Sequence, residues 1–304
     1  MSVQRIDGGA EWRLGTGRRS LGETEDKYMD IDRRMVLGGL AAGALATQAS
    51  AAGTSAGSPT GRMRTFMLMR AALDEGLISS WMSANYYGVV EDRMEPLFDV
   101  VAAVFARYRR MPDGSYEGVS GELAWFVDKD TGKALDTYRN PYTGQVVDVP
   151  MGGLTPSKIY FMPDLSMRLA RSVPGMEFTH EVLGPDMRGD AVWMTERSRS
   201  SFTLPGQAKP MRYSESNIFK AKRSAIDAKG ATRVTSDVSF TNVVSWRPWL
   251  KMGDHPGHLT ATGAGQHTSS LAMFPPAWIE TTRARRPDVL KDPASLLAPL
   301  WDAR

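Results

Sequence analysis

The sequence predicts an all-β chain, a large antiparallel meander closed or half-closed into a barrel of the calycin or lipocalin kind, with a short C-terminal capping arm. Three observations carry this. Short runs rich in aromatic and β-branched residues recur along the chain. Turn chemistry separates them at close intervals. Sustained helical periodicity is missing, apart from an ambiguous, Ala-containing run at 97–108. About ten to twelve strands of ordinary length fit the chain. A sheet that large curls or closes, because open edges invite pairing with other chains.

The elements follow in order. Residues 81–90 and 97–108 are apolar runs. Pro112-Asp113-Gly114 is a turn, with Pro presetting φ and Gly taking positive φ, and it leads into a strand at 116–127. Asp128-Lys129-Asp130-Thr131-Gly132 turns the chain into 135–139. Asn140-Pro141-Tyr142-Thr143-Gly144 turns it again into 145–149, continuing the meander. Further strands are expected at 191–203, 215–226, 232–246 and 259–271, the last with one wet face. The proline-rich stretch 275–300 reads as the capping arm, and the clustered Met63, Met67 and Met69 as core packing.

Composition sets limits. The chain has 304 residues, 42% hydrophobic and 23% charged, as in a globular protein. A net charge of +3 argues against a nucleic-acid surface, and none is expected. The lack of Cys excludes disulfides, thiolate nucleophiles and metal–thiolate sites. Nucleotide-binding glycine loops, a nucleophile elbow and HExxH are all missing.

The first fifty residues read as an address. Arg33 and Arg34 precede an apolar run, 35–45, that is about half of the ~20 residues a spanning helix needs. The run leads to Ala49-Ser50-Ala51, a small-x-small cleavage signature. This pattern predicts a twin-arginine signal, the export machinery as partner of the precursor, no stable membrane span, and a periplasmic or secreted mature protein. Residues 1–51 are thus expected to be extension and signal, with translation starting at Met29. Residues 52–61 are expected to be a flexible tether, and 62–304 a single β-rich domain.

Candidate chemistry is spread thinly. His258 and His267, with Arg139 and Glu122, are the expected acid/base residues. An imidazole titrates near neutrality, and a carboxyl turned inward gains a raised pKa. Tyr138 and Tyr142 are placed at a cavity mouth with Arg139. Trp246 and Trp249 either line an apolar pocket, with Arg247 stacked on one ring, or plug the barrel end. Glu215 and Asn217 would join them if strand alternation turns them inward. His255, His258, His267 and Asp254 would bind a metal only if a hairpin gathered them, and no metal is assigned. No cofactor is assigned either.

At these residues the chain resembles the family known as domain of unknown function 1838. The resemblance rests on Asp128-x-x-Thr131-Gly132, on Asn140-Pro141-Tyr142-Thr143-Gly144-Gln145-Val146-Val147, and on Trp246-Arg247-Pro248-Trp249-Leu250-Lys251-Met252-Gly253-Asp254-His255-Pro256-Gly257. It spans roughly 62–293 and implies a β-rich fold without implying an activity. The expected function is an exported barrel enzyme. It would act on a small apolar or aromatic molecule by acid/base chemistry, as an isomerase, lyase or hydrolase, in a lumen lined by Trp, Tyr and Met. The rival is a lipocalin-like carrier of a lipophile.

Overall fold

The computed structural model describes residues 59–302, except 151–155, 172–173, 204–206, 208 and 269. The expected signal, the start at Met29 and most of the tether lie outside the described residues. The strands are β1 (Ile78–Val90), β2 (Arg93–Arg110), β3 (Tyr116–Val127), β4 (Thr137–Arg139), β5 (Val146–Asp148) and β6 (Ser157–Phe161). They continue as β7 (Met167–Leu169), β8 (Glu177–Arg188), β9 (Ala191–Phe202), β10 (Met211–Lys222), β11 (Ser236–Val244) and β12 (His258–Thr268). The helices are α1 (Pro59–Arg70), α2 (Arg223–Ile226), α3 (Pro276–Arg285), α4 (Pro287–Lys291) and α5 (Ala298–Trp301).

Ten strands form one antiparallel sheet in the order β7-β6-β3-β2-β1-β12-β11-β10-β9-β8, nearly closed into a barrel. Strand alternation sets the two faces. On β10, Met211, Tyr213, Glu215, Phe219 and Ala221 are buried, while Arg212, Ile218, Lys220 and Lys222 face solvent. Glycines let the backbones approach closely where β12 meets β1. A Cβ on Gly263 would lie 2.3 Å from the Ser83 carbonyl, and one on Gly265 2.0 Å from that of Trp81.

The run at 97–108 is strand, not helix. Phe98, Val100, Ala102, Ala106 and Tyr108 join the interior clusters and Val104 lines a cavity between them, while Val101, Ala103 and Phe105 are buried beneath the C-terminal helices. A strand covered on both faces reads as a continuous apolar run, which periodicity does not distinguish from a helix. The expected meander also breaks at β4 and β5, which form a separate two-stranded sheet. Asn140 accounts for this. Its buried amide donates to the Leu250 carbonyl at 2.8 Å, and its oxygen accepts from the Tyr142 N–H. The hairpin therefore docks on the one-turn 3₁₀ helix Pro248–Leu250 at one barrel end.

Helix α1 starts at Pro59, within the stretch expected to be a tether. Phe66, Met67, Leu68 and Met69 are consecutive and fully buried, so every side of the helix is covered. Phe66 meets Phe161 edge-on at 5.2 Å and Phe219 at 6.4 Å. The helix thus fills the interior between β6 on one side and β8 to β10 on the other. Arg62 donates to the carbonyls of Val182 and Gly184, occupying acceptors on the edge strand β8.

The capping arm lies on the outer face of β2 and β3. Trp278 is fully buried there and donates to the Leu123 carbonyl at 2.9 Å, while Trp125 donates to Thr282. Trp278→Ala is expected to cost about 3–5 kcal/mol, read as a lower urea midpoint with an unchanged slope. Among the described residues no helix is long and apolar enough to cross a membrane.

Candidate functional site

The interior face carries more polar groups than a packed barrel needs. On β9 the inward register runs Val192, Met194, Glu196, Ser198, Ser200 and Phe202, and on β10 it places Glu215 and Asn217 between Tyr213 and Phe219. These strands pair directly, so the polar positions lie side by side. Arg70, the last residue of α1, reaches them from inside the barrel.

Two polar groups result. In the first, Arg70 Nε donates to Glu196 Oε2 at 3.0 Å and Arg70 Nη1 to the Tyr108 hydroxyl at 3.0 Å. His180 Nε2 lies 3.1 Å from Glu196 Oε1, and His180 Nδ1 is buried with no partner among the described residues. Gly118 makes room for Tyr108, since a Cβ there would sit 2.4 Å from its ring. In the second group, Glu215 accepts from the Tyr213 hydroxyl and, at 2.6 Å, from the Asn217 amide. Ser80 Oγ and His267 Nδ1 are bonded at 2.7 Å on the neighbouring β1–β12 ladder.

The two groups share one cavity of about 40 Å3. Arg70, Glu196, Ser198, Glu215 and Asn217 form its polar wall, with Ser80 and His267 beside them; Met82, Val104, Phe219 and Val238 form the apolar wall. Of the expected Trp, Tyr and Met lining, Met82 is present, Phe219 supplies a ring, and Tyr138, Tyr142, Trp246 and Trp249 stand away from this cavity. Strand β6 pairs with β3 only from Tyr116 to Ser120. Beyond it, the inward Glu122, Ala124 and Phe126 are half-buried, whereas the outward Leu123 and Trp125 are fully covered.

Burial and charge push the acids apart. Burial pushes Glu215 up to about 7, outweighing its hydrogen bonds from Tyr213 and Asn217. Burial also works against ionised Glu196, but the Arg70 charge and the His180 hydrogen bond prevail and hold it at about 2. Burial, helped by the Arg70 charge, keeps His267 neutral down to about pH 3. Burial, then the Glu215 charge, pushes the Tyr213 phenol well above its usual range.

These shifts set a stability profile. Glu215 is raised, so its contribution is complete below about pH 4.5 and is lost as pH rises through about 7, roughly 3 kcal/mol in all. Glu196 and His267 are depressed, so theirs are present at neutrality and lost as pH falls toward about 2 and about 3. Urea unfolding across pH is expected to show Glu215→Gln removing the loss between about pH 4.5 and 7 while leaving the acid limb in place.

The other predicted residues scatter. His258 and His267 are nine positions apart on one strand. Period two therefore puts them on opposite faces, His267 inward and His258 outward opposite Val89. Arg139 is exposed and donates to the Gly144 carbonyl of its own turn, a structural role. Tyr138 and Trp249 pack with Phe98 in the barrel-end plug. Tyr142, Trp246 and His255 cluster at the outer rim. Arg247 is buried and acts on the Tyr86 and Tyr213 phenols. Among the described residues no three His, Asp or Glu side chains converge as a metal site requires.

The sequence alone did not single out Arg70, Glu196, Tyr108, Tyr213 or Ser80. Glu196 was accessible, because it shares parity with Val192, Met194 and Phe202 on β9. Arg70 had no local signal, because its place depends on a helix entering the barrel. A family model described as "protein of unknown function (DUF1838)" matches residues 74–164 and 199–298. No curated protein matches the chain.

Proposed function

The chain belongs to this DUF1838 family, and we propose that it is an exported enzyme that moves protons on a small molecule held in the barrel lumen. The observation carrying this reading is the pair Glu196 and Glu215, two buried carboxyls on one cavity wall held at about 2 and about 7. Environments that push two acids apart in this way assign roles. Glu215 exchanges the proton near neutrality, and Glu196 stays ionised and fixes Arg70. Tyr213 and Asn217 orient the Glu215 carboxyl, and the His267–Ser80 pair supplies a neutral imidazole and a hydroxyl. The apolar wall receives the hydrocarbon part of the substrate. Export rests on the Arg33-Arg34 pattern and its apolar run.

A carrier of lipophiles needs an apolar pocket of several hundred Å3, while this cavity offers about 40 Å3 and a charged wall. The test is proton exchange. The mature protein is incubated in deuterium oxide with a panel of small ketones and hydroxyketones, and loss of α-proton signal is followed by NMR. Exchange of at least one compound, with a pH inflection near the Glu215 value of about 7, is expected. Failure across the panel, with a lipophile co-purifying in native mass spectrometry, would overturn the reading in favour of carriage.

A further inference from the structure

Resting on the acid/base reading above, we infer that the cavity receives the neutral carbonyl or carboxamide end of its substrate and excludes carboxylates. Arg70 is the one cationic side chain among the described residues lining the cavity, and its charge is matched by Glu196 at 3.0 Å. The second carboxyl, Glu215, stands on the same wall. A carboxylate ligand entering here would face two acids and an imidazole that burial keeps uncharged. It would also leave water without gaining a counter-charge, the costly case for a buried ion.

A neutral carbonyl meets the opposite situation. The Ser198 hydroxyl, the Asn217 N–H not given to Glu215, and Glu215 in its acid form are donors of the cavity wall. Each hydrogen bond from a neutral group to a carbonyl is made without burying new charge.

Size narrows the class. About 40 Å3 holds roughly three waters, or about three to four non-hydrogen atoms. One functional group therefore enters, with its first carbon against Met82 and Val104. The cavity thus recognises the reacting group alone.

Acetamide and acetate test this, because they are nearly identical in shape and differ by one charge. Met82 lines the cavity, so its ¹³C-labelled methyl signal, assigned with Met82→Leu, reports occupancy. Acetamide is expected to shift it saturably, with affinity of about millimolar as befits so small a ligand. Acetate is expected to bind at least about tenfold more weakly. Val104→Phe, which fills the cavity, abolishes the acetamide shift; should that variant fail to fold, Ser198→Leu serves instead.

Acetate binding as well as acetamide, or a Met82 signal that acetamide leaves unmoved in folded protein, would overturn the inference. The two ideas separate in the Glu215→Gln variant, which keeps a neutral polar wall. Loss of proton exchange with retained preference for acetamide supports both. Glu215-dependent exchange without that preference sinks the inference alone. A retained preference in a protein whose exchange ignores Glu215 sinks the acid/base reading alone.

Discussion

Replacing Glu215 by glutamine is expected to lower turnover by about 10²–10⁴-fold, the usual weight of a positioned general acid or base. The substitution keeps the shape of the side chain and removes only its ability to hand over a proton. Its neighbours can stay served: the amide oxygen accepts from Asn217, and the Tyr213 hydroxyl, which can also accept, turns to receive the new NH2. Stability near neutrality should hold or rise, since the variant keeps the uncharged form whose contribution wild type has lost by about pH 7. The comparison is made on whichever ketone exchanges fastest, over a range of pH. In the variant the inflection near 7 disappears along with the rate. A variant that retains both the rate and the inflection would place the acid elsewhere, and Glu215 would then be only a buried hydrogen-bonded acid.

The second large effect is on folding. Glu196→Leu should destabilise the protein by about 3–5 kcal/mol, because it strands a buried cation. Arg70 is only 11% exposed at its side chain, and Glu196 is its charge partner at 3.0 Å. Burial opposes the Arg70 charge, while Tyr108 and Glu196 together hold it protonated. His180 would lose its Nε2 partner in the same step. Adding Arg70→Met to Glu196→Leu should restore most of the loss, since replacing both partners of a buried pair by apolar side chains is close to neutral. Urea unfolding of the two single variants and the double variant gives the coupling directly. A double variant as unstable as Glu196→Leu alone would show that the cost lies in packing and not in the orphaned charge.

The fold was largely legible because strands and turns leave local marks. Pro112-Asp113-Gly114 and Asn140 to Gly144 turn where their chemistry demands, with Gly114 and Gly144 both at positive φ. What escaped was tertiary. The hairpin of β4 and β5 carries ordinary strand signals, and only the bond from Asn140 to Leu250, far along the chain, takes it out of the main sheet. Helix α1 has three arginines among its apolar residues, so its amphipathic signal is weak, and its enclosure becomes visible only in three dimensions. Within the site, Glu215, Asn217 and Glu122 were named on the condition that alternation turned them inward and His267 by residue type, and all four face inward. Arg139 and His258 were selected on residue type alone, and parity argues against His258 once β12 is anchored by its buried odd positions.

The sheet order has one more consequence. Read from its middle, it consists of two runs of five strands: β1, β2, β3, β6 and β7 descend one way, and β12, β11, β10, β9 and β8 the other. Among the described residues, the single ladder between the runs is the one from Ser79–Thr268 to Val89–His258, which joins opposite ends of the chain. Each half therefore assembles from near neighbours, while the seam waits for the last strand to be made, so closure is late and entropically costly. A chain cut between β7 and β8 should yield two fragments that recombine across this seam, with α1 of the first fragment inserting into the second like a bolt.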